Sequence, residues 1–186
     1  MKSVYKLETG QYSIHNYLIQ RCVAGDRQAQ NELYKLYAKA MYHVCMRIMG
    51  DEDDARDALQ EAFISAFNKL ASLQETHLFP AWLKRIVVNQ CLNTLRKRKD
   101  YVEELKENYD VAEQEEDDRT DYFSVAKEKI IGAIEQLPNG ARTVLNLYLF
   151  EGYDHSEIAT ILDITVSASK AQYSKAKAKI RALLEL

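Results

Sequence analysis

The sequence predicts an all-α protein made of two small helical domains joined by an acidic linker. Residues that form tight turns are scarce, with six glycines and two prolines among 186 residues, whereas a β-sandwich or barrel needs many such turns. Apolar residues make up 47% and charged residues 28% of the chain, which is typical of a folded globular protein. Apolar side chains also recur at helical spacing through most of the sequence.

The first predicted domain spans residues 12–99 and contains four helices, beginning with a short one near Ile14–Val23. Asp26 is the expected N-cap of the second helix, which Gly50 ends, and Asp51 begins the third. Pro80 suits the first turn of the fourth helix. The expected core positions are Ala29, Leu33, Leu36, Ala40, Val44 and Ile48 in the second helix, Ala55, Leu59, Ala62, Phe63, Ala66, Phe67 and Leu70 in the third, and Leu83, Val87, Cys91 and Leu95 in the fourth.

The second predicted domain spans residues 123–186, after an acidic linker at residues 100–122. The linker carries eleven acidic and two basic residues, a net charge of -9, and it has no sustained apolar face. Such blocks of like charge stay solvated. The second domain begins near Phe123 with a helix that ends at Leu137-Pro138, and Asn139 is expected to cap the next helix, which Gly152 closes.

The last two helices have the layout of a helix-turn-helix. Asp154 and Glu157 form a capping-box pattern that opens a short helix, a turn follows at Asp163, and Thr165 is the N-cap candidate of the last helix. A short helix, a tight turn and a longer basic helix are typical of this DNA-binding motif. The apolar face of the last helix is expected to hold Ser169, Tyr173, Ala176, Ile180 and Leu183.

The opposite face of the last helix favours DNA binding. No acidic residue occurs from Thr165 through Leu184, although an ordinary solvated helix usually mixes in glutamates that pair with its lysines. Lysines bind phosphates, and glutamine or serine can hydrogen-bond base edges. The residues expected on this face are Lys170, Gln172, Ser174, Lys175, Lys177 and Lys179.

Two further helical faces indicate binding. Residues 84–99 carry six basic and no acidic side chains, and the stripe Trp82, Ile86, Asn89 and Asn93 leads into Arg96, Lys97 and Arg98. An aromatic ring, amides and cations suit unpaired nucleic acid, although the sequence leaves open whether Trp82 faces the core or DNA.

In the third helix, Asp54, Asp57 and Glu61 share one face, with Gln60 beside it. The helix dipole explains acids in the first turn but not Asp57 and Glu61, so a basic protein partner is expected.

Catalysis and metal binding are not expected. Cys22, Cys45 and Cys91 and the four histidines lack zinc-site spacing, so reduced core thiols and no cofactor are predicted. No nucleophile–base pair or phosphate-binding glycine loop indicates an enzyme. The N-terminus has no apolar leader and no apolar run approaches the roughly 20 residues of a membrane helix, which predicts a cytoplasmic protein.

With these residues the chain resembles a bacterial RNA polymerase sigma factor of the extracytoplasmic-function (ECF) group. Asp51–Phe63 carries the family's complete D-x-x-D-A-x-D-x-x-Q-E-x-F pattern, which lies in its core-binding helix. Phe79–Arg96 carries the F-x-x-W-L-x-x-I-x-x-N pattern of its promoter-melting helix, and Tyr153–Ile180 resembles its C-terminal helix-turn-helix.

The resemblance implies a subunit that binds core RNA polymerase, recognises the -35 and -10 promoter elements and aids strand separation, without catalysis of its own. It implies that Asp54, Asp57, Gln60 and Glu61 contact a basic coiled coil of the polymerase clamp, and that Gln74–Phe79 forms a loop that captures a flipped -10 base. The residues implied in -10 recognition and melting are His77, Phe79, Trp82, Lys84, Arg85, Asn89, Asn93, Arg96, Lys97 and Arg98. Those implied in -35 recognition are Ser167, Lys170, Ala171, Gln172, Ser174, Lys175 and Lys177.

Some questions stay open at the level of the sequence. Asp163 stands where the family usually has glycine, and Asp tolerates a left-handed backbone better than most residues. Lysines and Gln172 replace the usual arginines of the recognition helix, so bidentate arginine–guanine contacts are absent. Whether an anti-sigma factor binds the chain is also open. The alternative is a plain helix-turn-helix regulator that uses residues 1–99 for dimerisation or effector binding, and binding of core polymerase separates the two hypotheses.

Overall fold

The computed structural model describes residues 15–98, 105 and 127–184, and every regular element in these residues is helical. The all-α class is therefore confirmed. Contacts divide the chain into two compact units, with the boundary between Thr94 and Leu95. The elements are α1 (residues 15–23), α2 (Arg27–Met49), α3 (Glu52–Lys69), 3-10 turns at Leu70–Ser72 and Thr76–Leu78, α4 (Phe79–Arg96), α5 (Lys127–Glu135), α6 (Asn139–Leu149), α7 (His155–Leu162) and α8 (Val166–Leu184). Except for Leu105, the predicted linker at 100–122 lies outside the described residues, as does the predicted start near Phe123.

The helix ends of the first unit follow the local chemistry of their sequence. The Asp26 carboxylate accepts hydrogen bonds from the amides of Gln28 and Ala29 at 2.8 and 3.1 Å, which satisfies two of the free N–H groups at the start of α2. Gly50 ends α2 in the left-handed conformation, with φ at 70°. The Asp51 carboxylate then caps α3 by accepting from the Asp54 amide at 3.0 Å. These predicted caps are confirmed.

The core-facing stripe of α2 differs from the prediction in its middle. Leu33, Val44 and Ile48 are buried as expected, but Leu36 is 53% exposed and Ala40 is also exposed. Because successive residues turn by about 100° around a helix, Tyr37 lies closer than Leu36 to the direction shared by Leu33, Val44 and Ile48. Ala40 lies only about 20° from Leu33, so helical spacing does not account for its exposure. Met41 is buried and Tyr37 is half-buried, so the prediction was wrong at Leu36 and Ala40.

The three cysteines are buried and free, and they pack as small apolar side chains. Burial raises the pKa of the Cys22 thiol to about 11. That thiol is therefore protonated and unreactive at neutral pH.

The second unit is built around α8, which packs against α5, α6 and α7. Its core holds Leu137, Ala141, Leu145 and Ala176, and the partly buried Ile134, Tyr173 and Ile180 pack against them. The predicted cap of α6 was wrong. Pro138 occupies the N-cap position, while the side-chain oxygen of Asn139, the first helical residue, accepts a hydrogen bond from Arg142 at 2.5 Å.

The far end of α6 also comes earlier than predicted. The helix ends at Leu149 with Phe150 as its cap. Gly152 lies in the loop beyond, with φ at 78°, because the Tyr153 amide folds back to donate to the Leu147 carbonyl at 3.0 Å.

The helix-turn-helix forms through the predicted capping groups. The Asp154 carboxylate accepts from the Ser156 and Glu157 amides at 2.7 and 2.8 Å, and the Glu157 carboxylate accepts from the Asp154 amide at 2.9 Å. Asp163 adopts the left-handed conformation with φ 57° and ψ 49° and ends α7. The Thr165 hydroxyl accepts from the Ala168 amide at 3.0 Å and so caps α8. The capping box, the turn and the second cap are confirmed.

Candidate nucleic-acid interface and protein-docking faces

One face of α3 presents acidic and polar side chains to solvent. Asp57, Gln60 and Glu61 are exposed and Asp54 is half-buried, on a helix that runs without interruption. Ile64 follows Asp57 by seven residues, so it extends the same face by another turn, and it is 56% exposed. Sequence analysis missed Ile64, although an apolar residue outside the core-facing stripe was the available signal.

The acids of α3 fall into two electrostatic groups. In the first turn, Arg56 pairs with Glu52 and lies 3.5 Å from the Asp53 carboxylate. These exposed ion pairs partly neutralise the start of the helix. Within the described part of the chain, Asp57 and Glu61 take part in no ion pair, so their negative charge is available to a partner.

The segment before α4 forms an exposed turn. In the 3-10 turn Thr76–Leu78, the His77 ring nitrogen lies 3.3 Å from the Glu75 carboxylate, and Leu78 is 48% exposed. Phe79, by contrast, is only 1% exposed. The expectation that Phe79 contacts DNA does not fit this structure, because its ring is part of the core and supports the turn from beneath.

Trp82 is half-buried and lies beside the Phe79 ring. The Phe79 and Trp82 ring centroids are 5.9 Å apart, and Tyr37 of α2 meets Phe79 edge-on at 5.2 Å. Tilted and edge-to-face packing of this kind is favourable for aromatic rings. The sequence left open whether Trp82 faces the core or DNA. In the structure, Trp82 packs on the core while part of its surface stays accessible.

The exposed face of α4 runs from Trp82 toward the basic end of the helix. Asn89, Asn93 and Arg96 lie within about 60° of Trp82 around the helix, and all three are exposed. Lys84 is half-buried and lies about 200° from Trp82, so the structure does not bring it to this face. The other predicted basic residues are Arg85 and Lys97, which are exposed, and Arg98, which is half-buried.

The predicted recognition surface of α8 is narrower than expected. Ser167 and Lys170 are exposed and Ser174 is half-buried, and these three share one face. Gln172 is 2% exposed and Ala171 7%. Gln172 points elsewhere because it lies about 200° around the helix from Lys170, so its predicted place on the solvent face was wrong. Lys175 and Lys177 are half-buried, and the Lys177 ammonium lies 5.3 Å from the centroid of the Tyr173 ring.

An aromatic cluster joins the two helices of the helix-turn-helix to α6. His155, the first residue of α7, stacks on Tyr148 at 4.6 Å and meets Tyr173 of α8 edge-on at 5.7 Å. Its Nδ1 shares a hydrogen bond with the Ser169 hydroxyl at 2.9 Å. Burial, together with the nearby Lys170 charge, lowers the pKa of His155. A neutral imidazole therefore helps to fix the orientation of α8.

The second unit also has an apolar groove between α5, α6 and α8. It encloses about 310 Å³, and at its edge Leu149 is 54% and Phe150 50% exposed. The groove fits an apolar side-chain row of a partner helix. It is lined by Ile130, Ile134, Leu145, Leu149, Phe150, Tyr173, Lys177, Ile180 and Leu184.

Neither a metal centre nor a membrane span is found in the described residues. No three His, Cys, Asp or Glu side chains in residues 15–98, 105 and 127–184 are grouped so that they could hold a metal ion. None of the helices described is long and apolar enough to cross a membrane.

Two segments of the chain match two regions of one class of transcription factor. Residues 33–101 match Sigma-70 region 2, and residues 127–180 match Sigma-70 region 4. The chain is 30% identical over 168 residues to the ECF RNA polymerase sigma factor SigM of Mycobacterium tuberculosis, covering 90% of this chain and 83% of that protein. It is 30% identical over 173 residues to the ECF RNA polymerase sigma-E factor of Haemophilus influenzae, covering 88% and 91%. The chain therefore belongs to the ECF group of bacterial RNA polymerase sigma factors.

Two solved structures share the fold. CnrH, solved in complex with the cytosolic domain of CnrY, is 23% identical, with a TM-score of 0.51 over 92% of this chain and 97% of that one. The sigma factor RpoE from Bartonella quintana, solved in complex with the anti-sigma factor NepR, is 20% identical, with a TM-score of 0.53 over 84% and 96%.

Proposed function

We propose that this ECF sigma factor binds core RNA polymerase through the acidic face of α3 and reads promoter DNA with the exposed faces of α4 and α8. In this proposal the chain consists of a domain for core binding and -10 recognition at residues 12–99, the acidic linker at 100–122, and a domain for -35 recognition at 123–186. The proposal assigns the chain no catalysis of its own. It also assigns it to the cytoplasm, where core polymerase and promoters meet.

The observation that carries the core-binding part is the unpaired charge of Asp57 and Glu61. Their neighbours in the first turn are partly neutralised by Arg56, whereas no ion pair in the described residues involves either of these two. A basic coiled coil would gain both charge attraction and, at Ile64, an apolar contact. The acidic face of α3 and the Trp82, Asn89 and Asn93 side chains of α4 lie in one unit, so polymerase and promoter contacts would be coupled.

Single charge reversals test this assignment. A reversal replaces attraction with repulsion, so Asp57→Lys and Glu61→Lys should each cost about 1 to 2 kcal/mol of binding, roughly 5- to 30-fold in Kd. Titrating purified core polymerase into the labelled sigma factor and following fluorescence anisotropy measures the affinity. Glu135→Lys is the matched control, because Glu135 is exposed and lies on α5 in the second unit.

The expected pattern is selective. The two α3 variants should bind more weakly than wild type, and because salt screens charge interactions, this difference should shrink at high salt. Glu135→Lys should bind as the wild type does. Wild-type affinity in a folded Asp57→Lys variant and a folded Glu61→Lys variant would rule out this face.

For the -10 element, we assign strand separation to the face that joins Trp82, Asn89 and Asn93. The accessible part of the Trp82 indole can stack on an unpaired base, and the two carboxamides can hydrogen-bond base edges. Arg85 and Arg96 of the same helix, together with Lys97 just after its end, supply phosphate contacts. Phe79 supports this face from the core, and Lys84 lies outside it.

For the -35 element, we assign DNA contact to Ser167, Lys170 and Ser174, which share the outward face of α8. Lys170 supplies the charge, and the two hydroxyls can donate to or accept from phosphates and base edges. Gln172 has no part in this assignment, since 2% exposure leaves its amide no access to a base.

The apolar groove of the second unit is proposed as a docking site for an apolar helix of core polymerase. The exposed Leu149 and Phe150 at its edge would be covered in the complex, which removes apolar surface from water. Leu149→Asp should therefore weaken core binding without changing the charge of α3, and unchanged affinity would remove the groove from the interface. An anti-sigma factor, the kind of partner seen with the RpoE structure, would compete for the same groove.

A further inference from the structure

The helix α1 contacts the turn that precedes α4, although the region 2 match starts only at residue 33. The Thr76 hydroxyl donates a hydrogen bond to the side-chain oxygen of Asn16, across 60 residues of sequence. Thr76 is the first residue of the 3-10 turn Thr76–Leu78. The first helix is thus tied directly to the segment proposed to capture a -10 base.

A second contact runs from the neighbouring residue of α1. His15 packs against Tyr37 with ring centroids 5.5 Å apart, and the Tyr37 hydroxyl lies 3.2 Å from a ring nitrogen of His15. Tyr37 in turn meets Phe79 edge-on at 5.2 Å. Two consecutive residues of α1 therefore brace both ends of the turn, Asn16 at Thr76 directly and His15 at Phe79 through Tyr37.

The turn itself has few other restraints. None of its three residues is buried, and Glu75 before it makes no side-chain capping hydrogen bond. Its other restraints are local: the Leu78 amide donates to the Glu75 carbonyl at 3.0 Å, the Phe79 amide donates to the Thr76 carbonyl, and the His77 ring lies 3.3 Å from the Glu75 carboxylate. Segments with few buried contacts open at low free energy, so the Asn16 contact has a large share in setting the conformation of this turn.

We propose that Asn16 is a positioning residue for base selection at the -10 element. Its side-chain oxygen holds Thr76, and through Thr76 it fixes the direction in which His77 and Leu78 face an unpaired base. This inference rests on the further proposal that the turn captures a flipped -10 base, which is the role that the family resemblance implies for Gln74–Phe79. Asn16 itself touches no DNA in this scheme and acts only through the geometry of the turn.

The test compares variants that keep or remove the hydrogen bond. Asn16→Leu removes the acceptor and Thr76→Val removes the donor, whereas Asn16→Asp and Thr76→Ser retain them. Holoenzyme assembled from core polymerase and each full-length variant is incubated with a random pool of short single-stranded DNA. Sequencing of the bound fraction identifies the preferred base at each position, and Kd is then measured for the best strand and its single-base replacements.

A hydrogen bond of this kind predicts about a 2- to 10-fold fall in the ratio of affinities for preferred and replaced bases in Asn16→Leu and Thr76→Val. Asn16→Asp and Thr76→Ser should keep the wild-type ratio. The double variant Asn16→Leu/Thr76→Val should be no less selective than either single variant, because the second change has no contact left to remove. Gln20→Leu, an exposed change on the same helix, should behave as wild type.

The possible outcomes distinguish a failure of the role proposed for Asn16 from a failure of the role proposed for the turn. If Asn16→Leu and Thr76→Val bind all strands more weakly but keep the wild-type ratio, the contact is only structural and the inference is overturned. The same holds if both keep wild-type affinity and ratio. If wild-type holoenzyme shows no base preference, the proposed function of the turn fails first. Should Asn16→Leu not fold, Thr76→Val removes the same hydrogen bond from the other side.

Discussion

Asp154→Ala is expected to loosen the helix-turn-helix without unfolding the rest of the protein. The Asp154 carboxylate accepts two hydrogen bonds, from the Ser156 and Glu157 amides at 2.7 and 2.8 Å. Alanine removes both and leaves two N–H groups at the start of α7 without a side-chain acceptor. The helix has only eight residues, so its first turn is a large fraction of its length.

The expected cost follows from known N-cap replacements. Exchanging an Asp N-cap for Ala costs about 1 kcal/mol, within a range of roughly 0.5 to 2. A domain of about 60 residues has a total stability of roughly 3 to 9 kcal/mol, so the loss is a substantial share of it. The melting temperature of such a domain should fall by about 4 to 8 °C. Asp154→Asn should cost much less, because asparagine is an equally good cap.

Hydrogen exchange measures the effect at the residues concerned. The amides of α7 and α8 should exchange about 5-fold faster in Asp154→Ala for each kcal/mol lost. The chain has one tryptophan, Trp82 in the first unit, so its fluorescence provides an internal control that should unfold as in wild type. Unchanged protection of α7 in Asp154→Ala, or an equal loss in Asp154→Asn, would refute the capping argument.

Three further changes have defined outcomes. Lys170→Ala should weaken promoter binding. If Lys170 holds a phosphate, the loss of affinity is the same for all -35 sequences, and the slope of log binding constant against log salt concentration shrinks by about one unit. A loss of affinity that depends on the -35 sequence indicates that Lys170 reads a base. Because the pKa of His155 is lowered in the folded state, chiefly by burial, its contribution to the stability of the second unit is present above its ordinary pKa of about 6.5 and is lost as pH falls through the folded pKa. Hydrogen-exchange protection of the α6 and α8 amides, measured at several pH values, should show this loss in wild type and not in His155→Gln. Leu145→Ala removes a side chain that is 1% exposed, so it should cost about 2 to 5 kcal/mol of stability. Hydrogen exchange of the α6 and α8 amides should then show the second unit unfolding at lower urea, while Trp82 fluorescence keeps its wild-type transition. A single shifted transition in both measurements would contradict independent unfolding of the two units.

The elements that sequence analysis predicted well are those fixed by local chemistry. Asp26, Asp51 and Asp154 cap helices because each carboxylate reaches amides two or three residues ahead. Asp163 takes the left-handed turn because its backbone tolerates that conformation better than most residues. These contacts lie within a few residues of sequence, so the pattern of residue types specifies them.

Apart from the two ends of α6, where Pro138 and not Asn139 is the N-cap and the helix ends before Gly152, the errors concern the direction in which side chains point. An offset of one residue turns a helix by about 100°, which separates the exposed Leu36 from its neighbour Tyr37 and turns Gln172 away from the face of Lys170. Phe79 was expected at a DNA-binding surface because its motif includes it, whereas its packing against Tyr37 depends on how α2 and α4 meet.

The spacing of apolar residues along the sequence did not predict the tertiary contacts. The groove of the second unit combines side chains of α5, α6 and α8, and no single helix reveals it. Likewise, the hydrogen bond between Asn16 and Thr76 joins residues that are 60 positions apart. Both depend on the relative placement of helices within a unit, which the spacing of apolar residues does not specify.

Run-off transcription tests the central claim most directly. Purified core polymerase is given sheared genomic DNA with and without this protein, and the transcripts are mapped to their start sites. New transcripts with defined starts and shared -10 and -35 sequences upstream are the predicted result. Absence of both transcription and core binding, in a preparation whose Trp82 fluorescence reports a folded first unit, would contradict the function described for this chain.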